Sequence, residues 1–281
     1  MSTLRPIALI TGASSGIGAA FARKFAAEGH ELVLVALPDP QFAALADEIA
    51  AAGCARPLTL ALDLTQKDAV PRIAHEMARH RVEPAVVVNC AGFGLVGPAA
   101  ALDRNAQLAM FDLNVRALTD LSLRFVDSLA RHRGGILNVA SVSAFLPAPE
   151  MAVYNASKTY VLSFSEALHR ELAGKGVRVT CLCSGPVPTA FQQRAGIRAR
   201  LPRLLARSPE YVARAGYDGL RRGKRMVVPG IGNKVLRFWL RLIPRFILLP
   251  GQVYAMRFST KPPAGGLPRL SAWTEPGELP P

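Results

Sequence analysis

The first 230 residues alternate short apolar runs with stretches of helical composition. Most of the runs are continuous Val, Leu and Ile, which is typical of parallel strands covered by helices on both faces. The strands predicted from these runs are 6–11, 31–36, 57–64, 84–92, 134–141, 177–185 and 225–230. The alternation predicts an α/β fold, a doubly wound Rossmann-type parallel sheet of about seven strands, with ligands at the carboxyl ends of the strands.

The positive charge of the chain is concentrated near its C-terminus. Of the net charge of +14, residues 1–189 contribute little, with 17 Lys and Arg against 16 Asp and Glu, whereas residues 190–281 hold 17 against 4. Neither zinc-finger spacing nor an RNA-recognition signature accompanies this excess. We therefore predict no nucleic-acid partner.

The other compositional signals are consistent with a cytoplasmic protein. The N-terminus runs into an apolar strand within six residues and lacks the pattern of a signal peptide. Four cysteines without a CxxC pair predict free thiols, and five scattered histidines lack ligand spacing. We predict no metal site.

A glycine-rich turn follows the first predicted strand. Residues 11–18 read TGASSGIG and lead into a helical stretch. Glycines at 12, 16 and 18 permit a tight turn and let the backbone approach a pyrophosphate, which the amides of a helix N-terminus stabilise. An ordinary turn between strand and helix is the alternative. The position of the turn, directly after the first strand, favours dinucleotide binding.

A tyrosine and a lysine lie one helical turn apart in the sequence YNASK, residues 154–158. Apolar residues then recur every three to four positions, which predicts a helix with one buried face. A free tyrosine has a pKa of about 10, and a cation within about 4–6 Å favours the ionised phenolate. We therefore expect Lys158 to lower the pKa of Tyr154, so that the pair can transfer protons near neutral pH.

Together these elements resemble the short-chain dehydrogenase/reductase family over about residues 4–232. They are TGxxxGxG, the sequence Asn89-Cys90-Ala91-Gly92, Ser141 and the YxxxK pair, with Ser141 thirteen residues before Tyr154. The resemblance implies hydride transfer between a nicotinamide dinucleotide and a carbonyl or secondary alcohol. Two positions depart from the family pattern: Ser184-Gly185 replaces Pro-Gly, and Cys90 replaces an asparagine.

The resemblance assigns catalytic roles to four residues. Tyr154 would be the general acid and base, Lys158 would supply positive charge and bond the nicotinamide ribose, and Ser141 would donate to the substrate oxygen. Asn114 would hold a water molecule for proton relay. Each has a structural alternative: a core tyrosine, a capping serine, or an asparagine bonded to local backbone.

The resemblance also implies a larger set of cofactor contacts around the glycine turn and the strand ends. The set is Gly12, Ser14, Ser15, Gly16, Ile17, Gly18, Leu37, Asp63, Leu64, Asn89, Ala91, Gly92, Tyr154, Lys158, Gly185, Val187 and Thr189. For Asp63, a helix cap is an equally physical interpretation.

The end of the second predicted strand bears on the choice of cofactor. It reads Ala36-Leu37-Pro38-Asp39, without the acid typical of NAD enzymes or the arginine typical of NADP enzymes. Ser14 and Ser15 could bond a phosphate, and Asp39 could reach the ribose from the loop. The sequence favours NADP and leaves NAD open.

Three segments are expected to contact the substrate. Residues 93–99 and 142–152 are largely apolar, and a third segment follows Thr189. They predict a hydrophobic, lipid-like substrate, with ordinary packing loops as the alternative. Ser208-Pro209-Glu210 predicts the start of a helix through a cap and an N1 proline.

Residues 233–258 form a basic, hydrophobic extension to the predicted catalytic domain, 1–232. Lys234, Arg237, Arg241 and Arg245 recur every three or four residues, and no acid occurs from residue 224 to 258. The charges argue against a spanning helix. Two hypotheses stay open: an amphipathic helix at the inner face of an anionic membrane, or a helix pair covering the pocket or a subunit interface.

The remaining expectations concern the tail and the assembly. Residues 259–281 are rich in Pro and Gly and are predicted to be disordered. The family resemblance implies a homo-oligomer acting on a small molecule. The alternative function is a membrane-associated protein that binds the dinucleotide without turnover.

Overall fold

Seven parallel strands form one sheet in the computed structural model, which describes residues 4–189, 191, 195 and 205–243. The strands are β1 (Arg5–Thr11), β2 (Leu32–Ala36), β3 (Leu58–Ala61), β4 (Val82–Asn89), β5 (Gly135–Ser141), β6 (Arg178–Ser184) and β7 (Met226–Val227). Their order in the sheet is β3-β2-β1-β4-β5-β6-β7. The predicted doubly wound sheet is confirmed.

Some strand bounds differ from the sequence prediction. The fourth strand ends at Asn89, so that Cys90, Ala91 and Gly92 leave the sheet, and the seventh strand is only two residues long. An apolar run marks burial rather than strand pairing, and buried residues can continue beyond the last ladder hydrogen bond.

Nine α-helices lie in the described part of the chain. They are α1 (Gly16–Ala27), α2 (Pro40–Ala51), α3 (Ala69–Arg79), α4 (Arg104–Phe111), α5 (Leu118–Arg124), α6 (Val126–Arg131), α7 (Ala152–Glu171), α8 (Pro209–Arg221) and α9 (Ile231–Leu242). A π-helical segment, Asp112–Ala117, joins α4 to α5, and a 3₁₀ turn, Val142–Phe145, follows β5.

Helices cover both faces of the sheet, which explains the continuous apolar strands. On one face, α1, α2 and α8 contribute Phe21, Leu45 and Val212 to a single buried cluster. On the other, Ile73 of α3 and Leu168 of α7 belong to a second cluster. All five residues of β2 are buried between these layers. Apolar side chains are therefore needed at consecutive strand positions.

The winding of the chain reverses between β1 and β4. Strand β1 pairs with β2 on one side and with β4 on the other, and all three run parallel. The connections that leave β1 and β4 therefore diverge to opposite faces, which opens a crevice at the carboxyl ends of these strands. The turn that follows β1 is the glycine-rich sequence 11–18.

The sequence signals at the start of α8 are confirmed. The Ser208 hydroxyl accepts a hydrogen bond of 3.2 Å from the Tyr211 N–H, and Pro209 is the first helical residue. This cap satisfies one of the free amides of the first turn.

The basic extension begins with α9, which starts two residues before position 233. Residues 244–258 of the extension, and the tail 259–281, lie outside the described residues. Among the described helices, none is both long enough and apolar enough to cross a bilayer. The division into catalytic domain, extension and tail stays a prediction.

Candidate active site

The glycine turn packs tightly against the end of β4. At Gly12, where φ is +67°, a Cβ atom would lie 2.8 Å from the Ala91 Cα atom. At Gly18, a Cβ atom would lie 1.9 Å from the Gly12 carbonyl oxygen. Side chains at these positions would force the turn away from the strand ends and from the first turn of α1. The glycines thus shape a cradle that a pyrophosphate could enter.

The N-terminus of α1 faces this cradle with its amides uncapped by side chains. Ser15 is the N-cap residue, but its side chain makes no capping hydrogen bond, and the first turn holds no acid. Ser14, Ser15, Gly16 and Ile17 are partly exposed. Free amides and the positive end of the helix dipole attract an anion at this position. This donor set fits the pyrophosphate of a dinucleotide.

The loop after β6 closes the cradle from the opposite side. A Cβ atom at Gly16 would lie 3.0 Å from the Thr189 Cγ2 atom, so Thr189 lies directly across the turn. Val187 is buried in the cluster beneath α1, and its carbonyl oxygen accepts a 3.4 Å hydrogen bond from the Thr189 hydroxyl. The structure therefore brings Gly16, Val187 and Thr189 together, as the resemblance implies.

Thr11 holds the other wall of the cradle, and the sequence analysis did not single it out. Its buried hydroxyl accepts hydrogen bonds from the Cys90 and Ala91 amides, at 3.1 and 3.2 Å. These bonds fix the chain from Cys90 to Gly92 after it leaves β4. A threonine as the last residue of the strand, directly before the glycine turn, is the only sequence signal for this role.

Asn89 belongs to a buried polar network rather than to an open surface. Its side-chain amide donates to the Ser122 hydroxyl at 3.0 Å and to Asn138 Oδ1 at 2.8 Å. Asn138 in turn donates to the Ser165 hydroxyl at 2.9 Å. The network ties β4 and β5 to α5 and α7. The Asn89 amide nitrogen therefore positions the strands, while its buried oxygen has no hydrogen-bond partner among the described residues.

The residues predicted to contact the adenosine half lie at the ends of β2 and β3. Leu37 is 38% exposed. The Asp63 carboxylate accepts from the Thr65 amide at 2.9 Å and from the Thr65 hydroxyl at 2.8 Å, so it caps the turn after β3 rather than a helix. Leu64 is buried in the core. The Asp39 carboxylate caps α2 through a 2.8 Å bond from the Gln41 amide.

Tyr154 and Lys158 meet at the carboxyl end of β5. Both side chains are buried, with 6% exposure each. The Lys158 ammonium donates to the Val139 carbonyl at 3.0 Å and lies 5.8 Å from the centre of the Tyr154 ring. Ser141 ends β5, and its hydroxyl is close enough to hydrogen-bond the Tyr154 phenol. The structure thus brings the three residues together.

The pKa of Tyr154 differs from the sequence expectation. Burial raises the phenol pKa to about 12, and the hydrogen bond with Ser141 lowers it only in part. The expected lowering by Lys158 is therefore wrong for the protein alone, because the loss of solvent around the phenolate dominates. Both the phenol and the ammonium carry their protons at neutral pH.

The pKa of Lys158 moves in the opposite direction. Burial lowers it to about 8, while Cys90, Cys181 and Cys183 act to raise it. All four cysteines are free thiols, and the sulfur atoms of Cys181 and Cys183 lie 3.8 Å apart on one face of β6. The ammonium thus contacts a carbonyl oxygen in the protein interior, and its charge is sensitive to pH close to neutrality.

Asn114 lies in the π-helical segment, where the extra residue per turn directs its side chain into the site. Its amide nitrogen donates to the Phe93 carbonyl at 3.0 Å and to the Ser157 hydroxyl at 3.1 Å, and its oxygen accepts from the Phe93 amide at 3.3 Å. A Cβ atom at Gly92 would be 2.8 Å from that oxygen and 3.4 Å from the Lys158 nitrogen. Such π segments are frequent at functional sites.

Two further residues complete the site, and neither was predicted individually, although Phe191 lies in the segment after Thr189 that is expected to contact the substrate. Phe191 packs on Tyr154, with ring centres 5.7 Å apart, and also approaches Gly94. Asn233 of α9 is 1% exposed and donates to the carbonyls of Pro229 and Leu205, at 2.8 and 3.1 Å. Its amide group would lie only 2.3 Å from a Cβ atom at Gly185. Asn233 thus links α9 to the loop after β6.

A sequence model described as short chain dehydrogenase matches residues 6–198 of this chain. The matched span holds the glycine turn, Ser141, Tyr154 and Lys158. The chain belongs to the short-chain dehydrogenase/reductase family.

Two solved dehydrogenases are similar in structure over most of the length of this family member. A short-chain dehydrogenase from Sphingobium yanoikuyae in complex with NADPH is 29% identical, with a TM-score of 0.74 over 93% of this chain and 98% of that chain. The bulky-bulky ketone specific alcohol dehydrogenase from Comamonas testosteroni is 26% identical, with a TM-score of 0.71 over 94% and 98%.

A curated relative matches over a shorter stretch. A short chain dehydrogenase of Pseudocercospora fijiensis is 33% identical over 183 residues, which are 64% of this chain and 59% of that protein. This short-chain dehydrogenase therefore spans about three fifths of the length of that relative. The protein is an oxidoreductase of a family whose members bind nicotinamide dinucleotides.

Proposed function

We propose that this short-chain dehydrogenase uses NADPH to reduce the carbonyl group of an apolar, lipid-like substrate to a secondary alcohol, and that it also catalyses the reverse oxidation. The observation that carries the proposal is the convergence of the partly exposed Ser141 with the buried Tyr154 and Lys158 beside the glycine cradle. A buried ammonium and a buried phenol are costly to keep in the protein interior, so their convergence at one strand end favours a chemical role.

Tyr154 is suited to be the proton donor in the reduction. A bound nicotinamide would supply a hydride to the carbonyl carbon, and the substrate oxygen would then need a proton. With its pKa raised to about 12, the phenol holds a proton at neutral pH and can give it to an alkoxide. The Lys158 ammonium then stabilises the resulting phenolate, because it lies on the same face of α7 one turn away.

Ser141 is suited to hold the substrate oxygen. Its hydroxyl accepts a hydrogen bond from the Ser143 amide at 3.1 Å, which caps the turn after β5. Since this bond occupies a lone pair, the hydroxyl proton stays available for the oxygen on which negative charge develops. The capping alternative from the sequence and the proposed catalytic role are thus compatible in one side chain.

Asn114 is proposed to support the return of the proton from solvent. The three hydrogen bonds to Phe93 and Ser157 fix its carboxamide beside Gly92 and Lys158. A water molecule held at the neighbouring Phe93 carbonyl would complete a path from Lys158 to bulk solvent. The bonds join separate segments of the chain, which argues against the alternative of a purely local backbone contact.

The preference for NADPH rests on the end of β2. No acid lies at Ala36 or Leu37, and the Asp39 carboxylate is engaged in capping α2. Neither Ala36 nor Leu37 therefore repels a 2′-phosphate or competes for the ribose hydroxyls, and the Asp39 carboxylate is held in the cap of α2. Ser14 and Ser15, partly exposed in the turn, offer hydroxyl donors. The similar Sphingobium enzyme was solved with NADPH.

An apolar substrate is supported by the wall opposite Tyr154. Phe191 packs on the tyrosine ring, and both rings lie so close to Gly94 that a Cβ atom there would be 3.0 Å from Phe191 and 3.1 Å from Tyr154. An aromatic wall next to a single proton donor recognises apolar bulk around a carbonyl better than it recognises charge. The similar Comamonas enzyme is described as specific for bulky ketones.

The assembly proposed for the enzyme is a cytoplasmic homo-oligomer. Leu108 and Phe111 of α4 and Leu123 of α5 are 53, 48 and 50% exposed along one continuous helical run. Exposed apolar side chains clustered in this way are typical of a subunit interface. Light scattering of the protein with Phe111→Ser tests the proposal, because a smaller particle is expected.

Titration and turnover together test the proposed function. Binding of NADPH and of NADH is followed by nucleotide fluorescence, and oxidation of NADPH is then measured with a series of aryl alkyl ketones of increasing size. We expect tighter binding of NADPH and turnover that improves with apolar size. Tight binding without turnover on any ketone or secondary alcohol would favour the non-catalytic alternative.

A further inference from the structure

The outer face of α9 exposes a continuous apolar stripe, the α9 stripe. Its members are Ile231, Val235, Phe238, Trp239 and Leu242. Each is at least half exposed, from 50% for Val235 to 77% for Ile231. At the helical rotation of about 100° per residue, the five side chains fall within a sector of about 100°. An apolar sector of that width normally faces a protein core, but here it faces outward.

The opposite face of α9 fixes the helix to the catalytic fold. Asn233 is buried against Gly185, and the Arg237 guanidinium lies 5.4 Å from the centre of the Phe145 ring. Because these contacts determine the rotation of the helix about its axis, the stripe cannot turn inward without breaking them. The stripe therefore stays exposed as long as α9 is packed on the catalytic fold.

The excess of basic residues in the sequence near the stripe indicates the kind of partner. No Asp or Glu occurs between Arg225 and Thr274, whereas nine Lys and Arg residues lie from Lys224 to Arg269. Lys234 is exposed on the outer side of α9 next to the stripe. A second copy packed stripe to stripe would bring the exposed Lys234 side chains of the two copies together, which is unfavourable. An anionic surface instead complements both the charge and the apolar side chains.

We propose that the α9 stripe docks into the headgroup region of a membrane that contains anionic lipids, with the helix lying parallel to the surface. Tryptophan and phenylalanine favour this region because their rings are apolar and, for tryptophan, the indole N–H can remain hydrated. The inner face of the same helix contacts Phe145 and Gly185, so docking holds the loops after β5 and β6 near the lipid. This surface is separate from the proposed catalysis and does not depend on it.

Vesicle binding with tryptophan fluorescence tests the proposal. The chain has two tryptophans, so Trp273→Phe leaves Trp239 as the single reporter. The full-length Trp273→Phe protein is mixed with phosphatidylcholine vesicles, with or without about 30% phosphatidylglycerol. We expect sedimentation and a blue shift of Trp239 emission only with the anionic vesicles, and a decrease in both at high salt.

Point variants distinguish the contribution of the α9 stripe to vesicle binding from a general effect of positive charge. Phe238→Ser in the Trp273→Phe background should weaken vesicle binding by at least about tenfold, since the affinity depends on the buried apolar area as well as on charge. Tyr211→Ser, an exposed aromatic residue of α8, is the matched control and should bind like its parent. Unchanged NADPH binding and thermal unfolding establish that each variant is folded.

Three results would overturn the proposal. The first is sedimentation that is equal for the Phe238→Ser variant and its parent. The second is an emission of Trp239 that is already blue-shifted and inaccessible to iodide without vesicles, which would mean that another part of the chain covers the stripe. The third is a halved particle mass for Phe238→Ser, which would assign the stripe to a second copy.

Discussion

Lys158 lies one turn of α7 beyond Tyr154, with its ammonium nitrogen 5.8 Å from the centre of the phenol ring and 3.0 Å from the Val139 carbonyl oxygen. Burial raises the pKa of the phenol above its ordinary value and lowers the pKa of the ammonium below its ordinary value. At neutral pH the phenol is thus an acid held next to a cation. This arrangement suits proton donation to a newly reduced carbonyl oxygen.

The pH dependence of the reduction should report the Lys158 ammonium. Its pKa is lowered to about 8, so the charge is present below that pH and is lost above it, while Tyr154 keeps its proton throughout. We expect kcat/KM for ketone reduction to be constant below the pKa and to fall by about tenfold per pH unit above it. Stopped-flow measurement with saturating NADPH checks the profile.

A Lys158→Arg variant provides the control for this profile. A guanidinium keeps its charge at all pH values in the measured range, so the alkaline decrease should move to higher pH. An unchanged decrease in this variant would show that another group titrates.

Replacing the buried ammonium should increase stability while abolishing turnover. The folded-state pKa of Lys158 is below the ordinary value of 10.5, so the cost of burying the charge is fully present below about pH 8 and disappears as the pH rises toward 10.5. We expect Lys158→Met to raise the free energy of unfolding at neutral pH by about 1–3 kcal/mol. Urea denaturation at several pH values measures it. If the difference in the free energy of unfolding between Lys158→Met and the parent grew with pH, the expected direction would be contradicted.

The sequence predicted the sheet and the glycine cradle because both depend on local patterns. Continuous apolar runs indicate buried strands wherever they occur, and glycines 12 and 18 are needed where the turn closes on its neighbours. The pKa of Tyr154 could not be predicted in this way. Its direction depends on how completely the surrounding helices and loops exclude water, which is a property of the assembled fold.

Cofactor preference should respond to a charge placed after β2. Leu37→Arg introduces a guanidinium at an exposed position beside the proposed 2′-phosphate site, and we expect the ratio of kcat/KM for NADPH over NADH to rise by about tenfold or more. Leu4→Arg is the matched control, because Leu4 is 39% exposed and precedes β1 at the opposite end of the sheet. An equal change in both variants would indicate a general charge effect.

Phe191 should determine selectivity for apolar bulk. Its ring lies 5.7 Å from that of Tyr154, so Phe191→Ala removes part of the wall next to the proton donor. We expect KM for a bulky ketone to rise by about tenfold, with a smaller effect on acetone. Steady-state kinetics of both ketones measure the change, with Tyr211→Ala as a control on a distant helix. Equal losses on both ketones would argue for a structural role.

The other features could not be predicted from the sequence, because they depend on which face of a helix or turn packs against the rest of the fold. In α9, the apolar residues occupy one broad side of the helix and the polar residues the other, and the sequence alone would place the apolar side inward, whereas Asn233 and Arg237 face the fold and Phe238 and Trp239 are exposed. Asp39 and Asp63 similarly could be read as ligand contacts or as caps, and only the folded backbone shows the Gln41 and Thr65 amides that they accept from. Tertiary contacts determine which of these roles each side chain has.

The most direct test of the account is a single-turnover comparison of two tyrosines on α7. Tyr154→Phe removes the proposed proton donor, whereas Tyr160→Phe removes an exposed hydroxyl that hydrogen-bonds Thr119 at 2.9 Å. We expect Tyr154→Phe to bind NADPH with the affinity of the parent but to transfer hydride to a bulky ketone at least about a thousandfold more slowly, and Tyr160→Phe to match the parent in both. Hydride transfer by Tyr154→Phe at the parental rate would contradict the role given to Tyr154.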